Sequence, residues 1–232
     1  MKKLVVITGA GMSAESGLKT FRDAGGLWEG FNVMDVASPE GFKRDPDLVL
    51  RFYNERRKQA RESKPNMGHQ VLAEMESLAS IDVITQNVDD LHERAGSSRV
   101  LHLHGELRKA RCILEPDLIY EWDKDIYLES CCENGHQLRP HIVWFGEEVP
   151  SLSKAISIMV DADIVLIIGT SLQVYPAAGL ISYAPKGIPL FYIDPQPHIS
   201  FELSKTENLT IIKENASSGL IHFHKLLSSN KI

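Results

Sequence analysis

Cysteine is scarce. Three residues, two of them adjacent, give no disulfide framework and fit a reducing compartment. No apolar run approaches the ~18 residues that span a bilayer. Met1-Lys2-Lys3 precedes only a short strand-like run before the first glycine, too little for the apolar region of a secretory signal. Basic residues are in deficit, 25 against 31 acidic for a formal net charge of −6, so the basic face required for nonspecific nucleic-acid binding is not expected. There is no internal repeat and no low-complexity tract. These absences leave a cytoplasmic chain with neither nucleic acid nor membrane as a partner. At 232 residues and 43% hydrophobic, it can bury one good core with room for one small inserted module.

The chain is organised around Leu4-Val5-Val6-Ile7-Thr8 and the loop Gly9-Ala10-Gly11-Met12-Ser13-Ala14-Glu15-Ser16-Gly17. A short β-branched run ending in glycine reads as a strand buried on both faces. Gly9 and Gly11 permit a tight turn and a close approach of backbone N–H groups to a ligand, and Ser13-Ala14-Glu15 reads as the opening of a helix that attracts phosphate. Gly9-x-Gly11-x-x-Ala14 fits the dinucleotide-binding fingerprint ending in alanine, a weak pattern by itself. The stretch from Ser16 to Trp28, carrying Thr20, Phe21 and Arg22, reads as a binding loop rather than a bare connection.

Further apolar runs at 81–85, 100–104, 163–168, 190–193 and 209–212 alternate with helical patterns at 67–78, 88–94, 151–160, 176–183 and 217–227. Such alternation predicts an α/β chain with a Rossmann-like, doubly wound parallel sheet. Two stretches break it. One holds a helix from Asp47 to about Glu62, opened by Asp45-Pro46; the other, Lys109–Arg139, is polar and carries every cysteine. The expected arrangement is a single domain, 1–232, with its core at about 1–29, 66–108 and 140–232. A small module is inserted at about 30–65 and 109–139, with the ligand cleft between the two.

Several constellations bear chemistry. Gln86, Asn87 and Asp89 follow a buried strand, where they either cap the next helix or reach into the crevice at the strand ends. His102 and His104 alternate, so both are expected on one face of a strand; a metal pair is set aside for want of a nearby carboxylate at suitable spacing. Gly169-Thr170-Ser171 closes the strongest apolar strand, as an adenosine and phosphate contact or as an ordinary turn. Arg139–Glu147, with Val143, Trp144 and Phe145, reads as a core strand or as a strip for an added substrate strand. Tyr53 and Arg56 fall at i and i+3 and share a helix face, either rimming the stripe of Leu48, Val49 and Phe52 or facing a ligand.

The run from Gly9 to Gly17 and on through Thr20-Phe21-Arg22, with Gln86-Asn87-x-Asp89, His104-Gly105 and Gly169-Thr170-Ser171, resembles the sirtuins, NAD-dependent protein lysine deacylases. Outside the 109–139 module the resemblance spans Val5 to about Gly219. It implies NAD bound by Gly9, Ala10, Gly11, Ser13, Glu15, Thr20, Phe21, Arg22, Trp28, Gln86, Asn87, Asp89, Gly169, Thr170, Ser171, Tyr192, Asp194 and Ala216. Tyr192 stands where many members carry asparagine. The resemblance also implies His104 as general base, a task suited to an imidazole that is mostly neutral near pH 7, with Asn87 and Asp89 beside it. Acyl-lysine would enter past Val143, Trp144 and Phe145. Tyr53, Arg56 and the small Ala37 resemble the pocket of the class III members, which implies succinyl and malonyl as well as acetyl groups. The implied reaction transfers the acyl group to ADP-ribose and releases nicotinamide.

The resemblance fails at the metal. Most sirtuins hold a structural zinc with two Cys-x-x-Cys pairs, and three cysteines cannot make a four-thiolate site. Cys112, Cys132, Glu115 and His136 could form a mixed site, but adjacent cysteines chelate one ion poorly, so no structural zinc is expected. The alternatives to a deacylase are a non-catalytic NAD or nucleotide sensor on the same sheet and an ordinary dehydrogenase. The second expects an acid about 20 residues beyond the glycines, where the Trp28 loop stands instead.

Overall fold

A computed structural model describes residues 1–19, 27–28 and 30–229. Its strands are β1 (Lys3–Thr8), β2 (Leu27–Trp28), β3 (Phe31–Asn32), β4 (Ser80–Thr85), β5 (Val100–His102), β6 (Gly105–Cys112), β7 (Ile119–Glu121), β8 (Leu138–Ile142), β9 (Ile164–Ile168), β10 (Leu190–Ile193) and β11 (Leu209–Ile212). Six of them form a sheet in the order β11-β10-β9-β1-β4-β5, every pairing parallel. β1 lies between β9 and β4, so the chain winds outward in both directions from it, as the alternation predicted.

The apolar runs suit this sheet because both of its faces are covered. Leu4, Val6, Ile164, Leu166 and Ile168 point to one side, under the helices Met67–Glu74 and Ala216–Ser228. Val5, Ile7, Val165, Ile167 and Tyr192 point to the other, under Leu152–Met159 and the 3₁₀ turns Ala177–Tyr183. Register sets the functional edge. Thr8 pairs with Thr85 and with Ile168, and Ile168 pairs with Ile193. Gly9, Gln86, Gly169 and Asp194, far apart in sequence, therefore emerge side by side at the carboxyl ends.

The remainder departs from expectation in detail. The helix after Gly9 is one turn, Ala10–Ser13, followed by a 3₁₀ turn, Ala14–Ser16, that ends on Gly17 at φ +89°. The polar stretch 109–139 holds most of an antiparallel sheet, β7-β6-β8, that spans Gly105 to Ile142. The helix Pro46–Glu62 opens as the sequence indicated, with the Asp45 carboxylate accepting from Leu48 N at 2.9 Å and proline in the first turn. One side of this helix packs Val49, Phe52 and Tyr53 with Val36, Ala37, Leu107 and Trp144. Its Leu50 packs with Ala110, Cys112, Ile126, Cys132 and Leu138. Among the described residues no helix is long and apolar enough to cross a membrane.

Candidate active site

The loops leaving β1, β4 and β9 are locked together before any ligand is considered. Backbone bonds extend the sheet by one step: Gly9 N donates to Ile168 O at 3.0 Å, Gln86 N to Thr8 O at 2.9 Å and Gly169 N to Ile193 O at 3.0 Å. Gly11 N donates to Gly169 O at 2.8 Å. A Cβ on Gly11 would stand 2.6 Å from Gly169 Cα, and one on Gly9 would stand 2.6 Å from Thr170 Cβ. The missing side chains thus allow two strand-end loops to pack backbone against backbone, a use of glycine that the spacing alone did not reveal.

Polar side chains tie the third loop to the first two. Asn87 Nδ2 donates to Gly9 O and to Ser13 Oγ, each at 3.1 Å. Ser13 Oγ donates to Asp89 Oδ2 at 3.0 Å, and Gln86 Nε2 donates to Thr170 Oγ1 at 2.9 Å. Burial pushes the Asp89 carboxyl upward, against the bonds from Leu91 N and Ser13 that favour its charge. Asn87 N donates to Thr85 Oγ1 at 3.0 Å and Asp89 Oδ1 accepts from Leu91 N at 3.2 Å, while the helix Leu91–Ala95 begins on Asp90 without a side-chain cap.

His104 lies just beyond β5 rather than within it. His102 Nδ1 bonds Asn87 O at 2.9 Å and its Nε2 meets Glu93 Oε1 at 2.8 Å, so both of its ring nitrogens are spent structurally. His104 Nδ1 bonds Gln86 O at 3.1 Å. A carbonyl only accepts, so Nδ1 carries the hydrogen and Nε2 presents a lone pair. Burial lowers the pKa of His104, outweighing the bond to Gln86 O, and keeps the ring neutral.

Opposite the strand ends stands an aromatic end. Tyr53 is fully buried, and Trp144 Nε1 donates to its Oη at 3.0 Å. The rings of Trp28, Phe52 and Tyr53 meet edge to face. The Arg56 guanidinium lies over the Phe52 ring, 4.7 Å from its centroid, and its Nε donates to Gln59 Oε1 at 3.1 Å. Arg139 stacks on Trp144 and pairs with Glu147, which in turn accepts from Trp144 N at 2.8 Å. The strip after β8 is held at both ends, Val143 N donating to His104 O and Phe145 N to Ala37 O, each at 2.9 Å.

A single cavity of about 780 Å³ joins the two ends. Its wall carries Gly9, Ala10, Gly11, Ser13, Glu15, Trp28, Ala37, Tyr53, Arg56, Gln86, Asn87, Asp89, His104, Val143, Trp144, Phe145, Gly169, Thr170, Ser171, Asp194 and Ala216. Tyr192 is the exception. Strand alternation turns it beneath the sheet, where its hydroxyl donates to Thr170 O at 2.7 Å, and its neighbours Ile193 and Asp194 line the wall instead. Thr20, Phe21 and Arg22 lie outside the described residues.

A sequence profile of the Sir2 family matches residues 9–176. The chain belongs to the Sir2 family. It is 55% identical over 216 residues to an NAD-dependent protein deacylase of Helicobacter pylori, covering 93% of this chain and 91% of that one. It is 52% identical over 233 residues to the NAD-dependent protein deacylase of Bacteroides thetaiotaomicron, covering 98% of each. Among solved structures, a Sir2 homologue complexed with ADP-ribose superposes with TM-score 0.88 at 36% identity, over 99% of this chain and 93% of that one. A Sir2 homologue in complex with NAD gives 0.86 at 36% identity, over 99% and 90%.

NAD suits what this Sir2 protein offers. The polar end of the cavity is built from backbone and from buried Asn87, Asp89, Thr170 and Asp194, and the volume is that of a small-molecule site. Three residues that support it went unread in the sequence. Asn66 Nδ2 holds Met12 O at 2.9 Å and Ser16 Oγ at 3.1 Å. Gln59 steadies Arg56, and Glu147 braces Trp144. Gln59 was within reach, since it stands at i+3 from Arg56 on a recognised helix. Asn66 was not, because its partners lie about fifty residues away.

Proposed function

We propose that the protein removes acyl groups from lysine side chains of proteins in an NAD-dependent reaction, and that it takes succinyl- and malonyl-lysine in preference to acetyl-lysine. The observation that carries this reading is the single cavity with strand-end loops at one end, Tyr53 and Arg56 at the other and His104 on its wall.

NAD supplies the ribose carbon that accepts the acyl oxygen, together with nicotinamide as leaving group. The chain's own part is to orient and to move a proton. The loops at 9–15 and 169–171, with Asp194 and Ala216, hold the adenosine and phosphate half. Gln86, Asn87 and Asp89 hold the nicotinamide ribose and the attacking water. His104 takes a ribose hydroxyl proton on Nε2, its ring fixed by Gln86 O. The backbone from Val143 to Phe145 receives the peptide as an added strand.

The acyl preference follows from the aromatic end. Trp144 fills an acceptor site on Tyr53 Oη, and burial raises the pKa of the phenol, so the hydroxyl keeps a hydrogen to donate. Arg56 can meet a carboxylate with two parallel N–H bonds. Ala37 leaves room for the longer chain. Charge-assisted bonds contribute roughly 1.5–3 kcal/mol each, and ~10–100-fold discrimination survives desolvation. The test is nicotinamide release that depends on acyl-peptide, run with succinyl, malonyl and acetyl groups. NAD binding with no nicotinamide release on any acyl-peptide would favour a sensor. Equal rates with all three acyl groups would remove the preference and leave the deacylase.

A further inference from the structure

Two arginines and a glutamate meet beside the strip that follows β8. We propose that Glu147 is a positioning residue for the acyl-lysine peptide: clasped by Arg111 and Arg139, its carboxylate fixes Trp144 and with it the backbone that receives the peptide. The inference rests on the deacylase reading and not on the acyl preference.

Arg139 meets the carboxylate fork to fork, Nη1 donating to Oε1 at 2.6 Å and Nη2 to Oε2 at 3.1 Å. Arg111 Nη2 lies 3.1 Å from each oxygen. Oε2 also accepts from Trp144 N at 2.8 Å, while Glu147 N donates to Trp144 O at 3.0 Å. Residues 144 and 147 thus hold each other twice, across a turn in which Gly146 takes φ +90°. The indole itself is fixed on its face by the Arg139 guanidinium, 3.2 Å from the ring centroid, and at Nε1 by the Tyr53 hydroxyl.

The cluster is an expensive way to hold a fold. The side chains of Arg139, Arg111 and Glu147 are only 8%, 13% and 20% exposed, and apolar side chains of like volume would pack there at least as well. Burial pushes the Glu147 carboxyl up, but the bonds from Arg139 and Trp144 N outweigh it and keep the group charged. What the charges add is direction, since a fork paired with a carboxylate admits one geometry. That geometry is imposed on the middle of the peptide strip. Val143 N donates to His104 O and Phe145 N to Ala37 O, so a shift of Trp144 pulls on both the base and the acyl end. Each Glu147 oxygen already takes two or more bonds from the chain, which leaves it no part in the proton transfer at His104.

The experiment uses the full chain and measures nicotinamide release and the binding of a fluorescent acyl-lysine peptide, with NAD titration and melting alongside. Glu147→Gln removes the charge that both arginines need. Glu147→Asp keeps the charge but draws the carboxylate back from Trp144 N. Each should raise KM and the dissociation constant for acyl-peptide ~10–100-fold, with kcat changed less and NAD affinity held within about twofold. The rise should appear with succinyl- and acetyl-lysine peptides alike, because the backbone strip serves both. Replacing the cluster outright, Arg111→Met with Arg139→Met and Glu147→Met, should leave the melting temperature level or higher while the peptide defect remains. That variant keeps the test open if the single ones fold poorly. A folded variant with unchanged KM for peptide overturns the proposal. So does NAD affinity falling in step with peptide affinity, or a peptide defect that vanishes in the triple variant as stability returns. These outcomes leave the deacylase reading standing. If the unaltered protein neither binds acyl-peptide nor releases nicotinamide, that reading falls and the positioning role falls with it.

Discussion

His104 has one nitrogen committed to a backbone carbonyl and, among the described residues, no hydrogen-bond partner on the other, and that asymmetry gives a base of fixed tautomer. His104→Ala should abolish acyl-lysine turnover, a loss of at least ~100-fold, while NAD still binds. Single-turnover kinetics with NAD titration checks this, and turnover near the original rate would release His104 from the role. The pH profile follows from the same residue. Only the neutral ring can take a proton, and burial lowers its pKa below 6.5. The acid limb of kcat/KM should therefore fall below pH 6.5 rather than above it. Arg56→Met keeps bulk and removes charge, so it should cut desuccinylation about 10–100-fold and leave deacetylation equal or better. Equal loss of both would make the arginine a structural neighbour of Phe52.

At the scale of elements, the parts that were legible in the sequence are those whose pattern is local. The β-branched runs gave β1, β4 and β9, the first and last closed by Gly9 and Gly169, and the crevice beyond them, because a strand covered on both faces is largely apolar. Asp45-Pro46 marked a helix start for the same local reason. The sheet β7-β6-β8 was not legible. Its strands carry Arg108, Lys109, Arg111 and Glu121, and Arg108 and Arg111 are balanced by Asp123 and Glu147 from distant positions. Tyr192 was misjudged for a different reason, since a run apolar on both faces does not say which residue of a pair faces the ligand. Asn66 shows what long-range closure adds. It accepts from Gly68 N and His69 N while His69 Nδ1 accepts from Asn66 N, and its amide also holds the first loop. Asn66→Ala should cost about 1–2 kcal/mol and raise KM for NAD. Asn66→Ser should restore the melting temperature, because serine caps well, without restoring KM, because it lacks the amide that reaches Met12 O. If the two readouts recover together, the cap alone accounts for Asn66.

Over the whole molecule, the histidines make an acid-sensitive core. His69 and His92 are fully buried, their ring centroids 4.9 Å apart, and His92 Nε2 reaches Thr8 Oγ1 beneath the strand ends at 3.0 Å. Burial lowers His69 to about 4 and holds His92 well below its usual value, helped by repulsion from His69 and His102. His104 and His141 are lowered as well, again chiefly by burial. His102 runs the other way, raised by its bond to Glu93 against the effect of burial. The sign is then fixed. Above pH 6.5 a lowered histidine is neutral whether folded or not and costs nothing. Below it the unfolded chain takes up protons that the folded chain refuses, so stability falls until the folded pKa is reached. For His69 that window runs from 6.5 to about 4 and amounts to roughly 3 kcal/mol. His102 contributes stability that is complete below 6.5 and lost as pH rises through its raised value, which offsets only part of the fall. The lowered carboxylates Glu93 and Glu147 lose their contribution at still lower pH, where carboxyl groups protonate. Urea melts between pH 7.5 and 4.5 should show stability dropping by at least ~2 kcal/mol, a fall that the raised carboxyl of Asp89 opposes only in part, with His69→Gln flattening part of the slope. A level profile across that range would mean that the buried histidines find partners for their charged forms and that the core beneath the active site is not the acid-labile part of the fold.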